Sequence, residues 1–404
     1  MNACGLIVEY NPFHNGHVYH LQEAKKVSNA DCMIAVMSGS FLQRGEPAIV
    51  DKFHRAQAAL QHGVDIVLEL PYMFAVQSSK LFAKGAISIL QAMDAHSVCF
   101  GSESGNIQDF TSSLTILRKN QSTYDQALKR YLATGISYPE ASKLAYQKIG
   151  LTEHAIDLGQ PNNILGFSYI RAIFDHGNSI EPLTIKRSNS HYHDTAIQGP
   201  IASATSIREA LFLQQEPLEN IFRTMPNAMK AQLQRYHQQA GAWHDWESYF
   251  DILQYRVLTT PIQELATIQG MDEGIEHRIK KTARSASNMV NWMEAVKTKR
   301  YTRTRIQRIF THILTNTKKM EYPQDIDMVK MPYIRLVGLT KTGEQYLHDH
   351  RKKIDTPIVS SLGRNMHPML EMEERASRAY YSILPATQRQ LLFKQELNLP
   401  IRTN

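Results

Sequence analysis

Cys4-Gly5-Leu6-Ile7-Val8-Glu9-Tyr10, running into Asn11-Pro12-Phe13-His14-Asn15-Gly16-His17, is the stretch that decides the fold. Its first part is a short apolar run and its second a Pro/Asn/Gly turn. Val18, Leu21, Ala24 and Lys25 then recur at helical spacing. The unit reads as strand, turn, helix. Open α/β sheets bind ligands at the carboxyl ends of parallel strands. Unsatisfied N–H groups at a helix start suit an anion such as phosphate, and Gly16 lets the backbone approach closely. His14 in the turn and His17 on the first helical turn can converge on one charge. Two histidines at a helix start also serve as surface residues or caps. The strand before them and the helix after them favour the phosphate reading.

Working outward, the first region alternates strand and helix. Cys32–Met37 reads as a strand, Asp51–His62 as a helix, Val64–Leu70 as a strand, Ser78–Met93 as a helix and Ser97–Phe100 as a strand. Nearly continuous apolar strands between helices predict an α/β fold with a parallel sheet covered on both faces. Residues 106–150 are polar and helical, as expected of an insertion or lid. Beyond 214–217 strands become sparse and amphipathic helices dominate, so we expect a catalytic domain at 1–215 and a mainly helical domain at 216–404.

Composition narrows the classes. The chain has 404 residues, enough for two or three domains, with 43% hydrophobic and 21% charged residues. No apolar run is long enough to span a membrane. The apolar run Cys4–Val8 is too short for a signal peptide and has no basic residue before it. Cys4, Cys32 and Cys99 lie in apolar runs without metal-ligand spacing, which predicts buried thiols in a reducing cytoplasm. The net charge of +7 favours a polyanionic partner.

Two more loops bear on phosphate. Ser203-Ala204-Thr205-Ser206-Ile207-Arg208 sets hydroxyls at a helix start with an arginine one turn in, and Lys186-Arg187 directly follows a strand. Simple capping and a solvated basic pair are the alternatives. His191, His193 and Asp194 have no third soft ligand nearby and read as pocket lining, not as a metal site. Farther on, Lys297, Lys299, Arg300, Arg303, Arg305 and Arg308 crowd twelve positions without an acid, with Tyr301 among them. A solvated basic face is one reading. RNA backbone binding, with bases stacking on the aromatic ring, is the one we prefer. Ile306, Ile309, Phe310, Ile313 and Leu314 form an apolar stripe. Lys299 and Arg303 project onto the same side, so either the helix starts near Thr304 or they meet an anion at the core's edge.

The His-x-Gly-His spacing resembles the signature of the class I nucleotidylyltransferase and aminoacyl-tRNA synthetase superfamily, a Rossmann-like fold. There the histidines stabilise the α-phosphate, and a Ser-x-Arg group at a second helix start holds the outer phosphates. Several blocks are closer still to one family. Val8–His17, Gly39-Ser40-Phe41-Leu42-Gln43-Arg44-Gly45-Glu46-Pro47, Phe100-Gly101-Ser102-Glu103, Pro161-Asn162-Asn163-Ile164-Leu165-Gly166 and Lys299–Ile306 resemble the bacterial tRNA(Met) cytidine acetate ligases, in the family's order. Phe53 stands where that family would have a tryptophan.

The resemblance implies an enzyme that makes acetyl-adenylate and pyrophosphate from acetate and ATP. The acetyl group then passes to N4 of the wobble cytidine of elongator tRNA(Met). It places ATP on Ile7, Val8, Glu9, Tyr10, Asn11, Pro12, Phe13, His14, Asn15, Gly16, His17, Val18, Tyr19 and His20, with Gly101, Asn162 and Arg187. His14, His17, Ser206 and Arg208 would be the catalytic set. Mg²⁺ is a natural phosphate partner, though no carboxylate cluster marks a site and no general base stands out. No stable protein partner is inferred. The rival readings are a small-molecule adenylyltransferase or acid–amine ligase of the superfamily, and a non-catalytic RNA-binding protein.

Overall fold

A computed structural model describes residues 1–151, 156–177, 179–187, 202–213, 217–323, 326, 330–363 and 366–403. Its frame is an eight-stranded sheet. The strands are β1 (Ala3–Val8), β2 (Cys32–Ser38), β3 (Ile66–Leu70), β4 (Ser97–Ser102), β5 (Glu181–Lys186), β6 (Ile334–Thr340), β7 (Ile358–Val359) and β8 (Ile401–Thr403). They lie in the order β5-β4-β1-β2-β3-β6-β7, with β8 also paired to β6. β1 to β5 are mutually parallel, as the apolar runs predicted. β2 and β3 are buried along their whole length, because helices cover both faces.

The chain moves from β1 outward through β2 to β3, then returns to the other side of β1 as β4. The reversal lies between β1 and β4, whose register pairs Cys4 with Ser97 and Gly5 with Val98. Crevices at such reversals are where open α/β sheets hold ligands.

The expected division at 215/216 does not follow the sheet. Residues 217–323 are helical, but β6 then pairs antiparallel with β3, and β7 and β8 join β6. A buried ionic network binds the returning segment. Lys52 donates to Glu69 at 2.6 Å and reaches Glu396 at 2.8 Å, and Arg335 meets Glu396 at 3.5 Å. A change in sequence texture marks where strands thin out, and cannot show that a later strand returns to an earlier sheet. The stretch 106–150 forms three helices, Ile107–Lys119, Gln121–Ala133 and Tyr138–Lys148. Phe110, Leu114 and Leu117 on the first of these are buried in the core. Among the described residues, no helix is long and apolar enough to cross a membrane.

Candidate active site

Three neighbouring strand ends converge on one cavity. The β1 turn brings His14 and His17, β4 brings Gly101, and Arg187 follows β5. The helix Asn15–Ser28 starts at the β1 turn with His14 as its N-cap. The Gly16 N–H donates to Nδ1 of His14 at 3.0 Å, and the His14 N–H donates to Nδ1 of His17 at 3.2 Å. Each Nδ1 is therefore an acceptor, which puts the proton of each neutral ring on Nε2. The rings stack at 3.8 Å. Burial, then the charges of Arg187 and Arg208, hold His14 down to about 3. Burial, then His14, Arg187 and His20, push His17 well below its ordinary value. At neutral pH both are uncharged N–H donors.

Cations ring them. The Arg187 side chain donates to Oδ1 of Asn162 at 3.2 Å. Asn162 in turn donates through Nδ2 to Glu103 at 2.7 Å. The other Glu103 oxygen accepts the Asn163 N–H at 2.8 Å, so this carboxylate covers the start of the helix Pro161–Asp175. A Cβ on Gly101 would sit 3.2 Å from Cγ of Arg187, so the missing side chain makes room for that arginine. Across the cavity, Arg208 donates to the Asn11 carbonyl at 2.8 Å and to Glu46 at 3.2 Å. Fixed N–H donors and guanidinium groups around one concavity suit the charge that spreads over phosphate oxygens in a transition state.

Comparison with known proteins bears on this geometry. The HIGH Nucleotidyl Transferase family model matches residues 1–396. A tRNA(Met) cytidine acetate ligase of Oceanobacillus iheyensis is 53% identical over 401 residues, covering 99% of this chain and 100% of the relative. The chain belongs to the tRNA(Met) cytidine acetate ligase family. The family's Bacillus subtilis (strain 168) member is 46% identical over 94% of this chain and 92% of its own. A crystal structure of apo Thermotoga maritima TmcAL matches with a TM-score of 0.89 at 31% identity, covering 100% of both chains. A second, bound with alpha-thio ATP, matches at 0.88.

Of the positions that the ligase resemblance assigned to ATP, Ile7, Val8, Glu9, His14, Gly16, His17, Tyr19, His20, Gly101, Asn162 and Arg187 line the cavity. The others on the turn support it from behind. Tyr10 and Phe13 pack edge to face at 4.7 Å, and Phe13 stacks on His17. Asn11 accepts the Ile49 N–H at 2.7 Å, and Asn15 donates to the Arg223 carbonyl. Pro12 is buried and Val18 packs against the core. Ser206 is buried, with its hydroxyl 2.6 Å from that of Ser203, whereas Thr205 faces the cavity. Helix phase decides this: one step along the helix turns a side chain by about 100°. The loop His191–Asp194 lies outside the described residues. Among the described residues no group of three or more His, Cys, Asp or Glu side chains could hold a metal.

Sequence reading gave no individual role to Gln43, Arg44 or Glu46, which also line the cavity. Gly39 and Gly45 bracket Gln43 and Arg44, with Glu46 directly after, and that was the available signal. Gly45 has φ +85, and a Cβ there would lie 2.5 Å from the Arg308 backbone nitrogen. The loop is pressed against the helix Arg303–Leu314. Gln307 donates to Glu46 at 3.2 Å, and Arg308 donates to the Gln43 carbonyl at 2.8 Å.

The basic run therefore divides. The helix begins at Arg303, with Thr302 as its N-cap, so no helical face spans the whole run. Lys297, Lys299, Arg300 and Arg303 are exposed and Arg305 is half-buried. Arg308 turns inward to the Gln43–Glu46 loop, where burial lowers it to about 10. Tyr301 is buried, and its hydroxyl donates to the Glu273 carbonyl at 3.0 Å, so its ring is not a platform for bases. Glu273 pairs with Arg300 and Arg305, and Glu294 with Lys297 and Arg303.

Proposed function

We propose that this chain activates acetate with ATP to form acetyl-adenylate, releasing pyrophosphate. It then transfers the acetyl group to N4 of the wobble cytidine of elongator tRNA(Met). The observation that carries the reading is the pairing of His14 and His17, each fixed as an Nε2–H donor, with Arg187 and Arg208 about one cavity. An acetate oxygen attacks the α-phosphorus in line and pyrophosphate leaves. The imidazoles hold charge on the α-phosphate while Arg208 and Arg187 take the outer phosphates. No covalent enzyme nucleophile is needed, because positioning and charge stabilisation suffice for in-line attack. Any Mg²⁺ would arrive with the nucleotide, and no step here depends on it.

The acceptor rests on the names of the full-length relatives and on the exposed cations Lys297, Lys299, Arg300 and Arg303, which suit an RNA backbone. The three free, buried cysteines fit a cytoplasmic enzyme. Purified protein with ATP and labelled acetate, with and without bulk bacterial tRNA, tests the proposal by nucleoside analysis. N4-acetylcytidine should appear only with all three substrates. Acetyl-adenylate without label in RNA would reopen the acceptor. No label in either would favour a small-molecule adenylyltransferase.

A further inference from the structure

Acetyl transfer must remove a proton from the attacking amine, and among the described residues the cavity's histidines and carboxylates are the natural groups to take it. His14 and His17 cannot: each carries its proton on Nε2 and uses Nδ1 to accept a backbone N–H. His20 sits one turn further along the helix, against the Cys99 backbone, and burial holds it down to about 4. Among the described residues two carboxylates line the cavity, Glu9 and Glu46. Glu46 is occupied at both oxygens, by Gln307 and by Arg208.

Glu9 differs. Its backbone carbonyl is tied to the buried Arg55 and its Oε1 accepts the Gln43 N–H at 2.8 Å, so the side chain is aimed. Its Oε2 has no hydrogen-bond partner among the described residues. We propose that Glu9 is the general base of the transfer step, an inference that rests on the acetate-ligase reading above. N4 attacks the acetyl carbonyl carbon of acetyl-adenylate and a C–N bond forms. The bond from that carbon to the phosphate oxygen breaks, and AMP leaves with the electron pair. The amine proton passes to Oε2 of Glu9.

The surroundings suit the role. Burial first, then the like charge of Glu46, raise Glu9 above the ordinary carboxylate value, against the Gln43 N–H and the charges of Arg44 and Arg208. Arg55, Arg308 and Tyr169 also sense its charge. A base of raised pKa accepts a proton more readily, provided it is ionised at the working pH.

The test bypasses activation. Wild type and Glu9→Gln are given chemically prepared acetyl-adenylate and unmodified elongator tRNA(Met) in single turnovers across a range of pH. Gln keeps an acceptor for the Gln43 N–H. Glu9→Gln should transfer roughly 100-fold more slowly, as expected on losing a general base. The wild-type rate should rise with pH to a plateau, and the variant should lose that rise. Glu9→Ala should regain rate on adding formate, which a merely structural role would not allow. Equal rates, or the same pH rise in both proteins, overturn the assignment. A wild type that transfers nothing from acetyl-adenylate would instead refute the proposed function.

Discussion

The turn at His14–His17 and the run at Lys297–Arg308 look alike as sequence: nitrogen-bearing side chains crowded near a helix start. The fold treats them in opposite ways. In the turn, backbone N–H groups two and three residues away take up Nδ1 of each ring and leave Nε2 for a ligand. In the basic run, acids from elsewhere in the chain, Glu273 and Glu294, take up much of the charge, and Arg308 is drawn against the Gln43–Glu46 loop. Partners a few residues apart can be read from spacing. Partners brought in by the fold cannot.

The largest expected effect tests the first half of that contrast. His14 both caps the helix and, in our reading, holds the α-phosphate. His14→Asn keeps an oxygen that can cap, whereas His14→Ala does not. Both should lower acetate-dependent ATP–pyrophosphate exchange by about 100- to 1000-fold, as on removing a donor aimed at developing charge. Only the alanine variant should lose about 1 kcal/mol of stability with the cap. If His14→Asn retained exchange, the histidine would be a cap and nothing more.

Next comes the contact between the two regions. Gly45→Ala places a Cβ against the Arg308 and Gln307 backbone at a φ of +85. Neither side can yield cheaply. Urea unfolding should show a loss of about 2–4 kcal/mol, the range for steric conflict in a packed interior. The KM for ATP should rise as Glu46 loosens its hold on Arg208. An unchanged stability would mean that the loop and the helix are not interlocked.

Acid stability follows from the buried histidines on both sides of the comparison. His14, His244 and His312 are held at about 3 and His20 at about 4, each chiefly by burial. The unfolded chain protonates them near 6.5, so below that pH it binds more protons than the folded chain. Stability is therefore present in full above about 6.5 and drains as pH falls toward 4, each group adding up to about 1.4 kcal/mol per pH unit. Urea titrations at a series of pH values check the slope, and His14→Asn should reduce it by one histidine's share. A slope unaltered in His14→Asn would mean that His14 is not held neutral.

Much of this was legible in the sequence because it is local. The parallel strands followed from apolar runs, the β1 turn from its residues, Gly101 and Asn162 from family blocks, and Arg187 from its place just after a strand. What escaped was relational. Ser206 and Thr205 are neighbours, and only the helix phase decides which faces the cavity. Tyr301 looks like a stacking residue until its hydroxyl is seen donating to the Glu273 backbone carbonyl. β6 reads as a strand from its own residues, yet its place beside β3 shows only in the fold, where Lys52 pairs with both Glu69 of β3 and the distant Glu396, and Arg335 of β6 pairs with that same Glu396.

The smallest effect is the most direct probe of the second half of the contrast. Exposed ion pairs contribute little, because water already solvates both partners. If the Glu273 pairs with Arg300 and Arg305 merely hold those side chains in place, an RNA phosphate can replace the carboxylate at little cost. Glu273→Gln removes the competitor without removing a cation. Its tRNA affinity should rise a few-fold. The slope of log affinity against log salt should steepen by roughly one, as expected when one or two more phosphates are neutralised. The triple change of Arg300, Arg303 and Arg305 to Ala should do the reverse and leave ATP binding unaltered. Should Glu273→Gln weaken tRNA binding instead, the carboxylate would be presenting the arginines and not masking them. Should neither variant move the salt slope, the RNA path would lie off this face, and the run would be a scaffold for the Gln43–Glu46 loop alone.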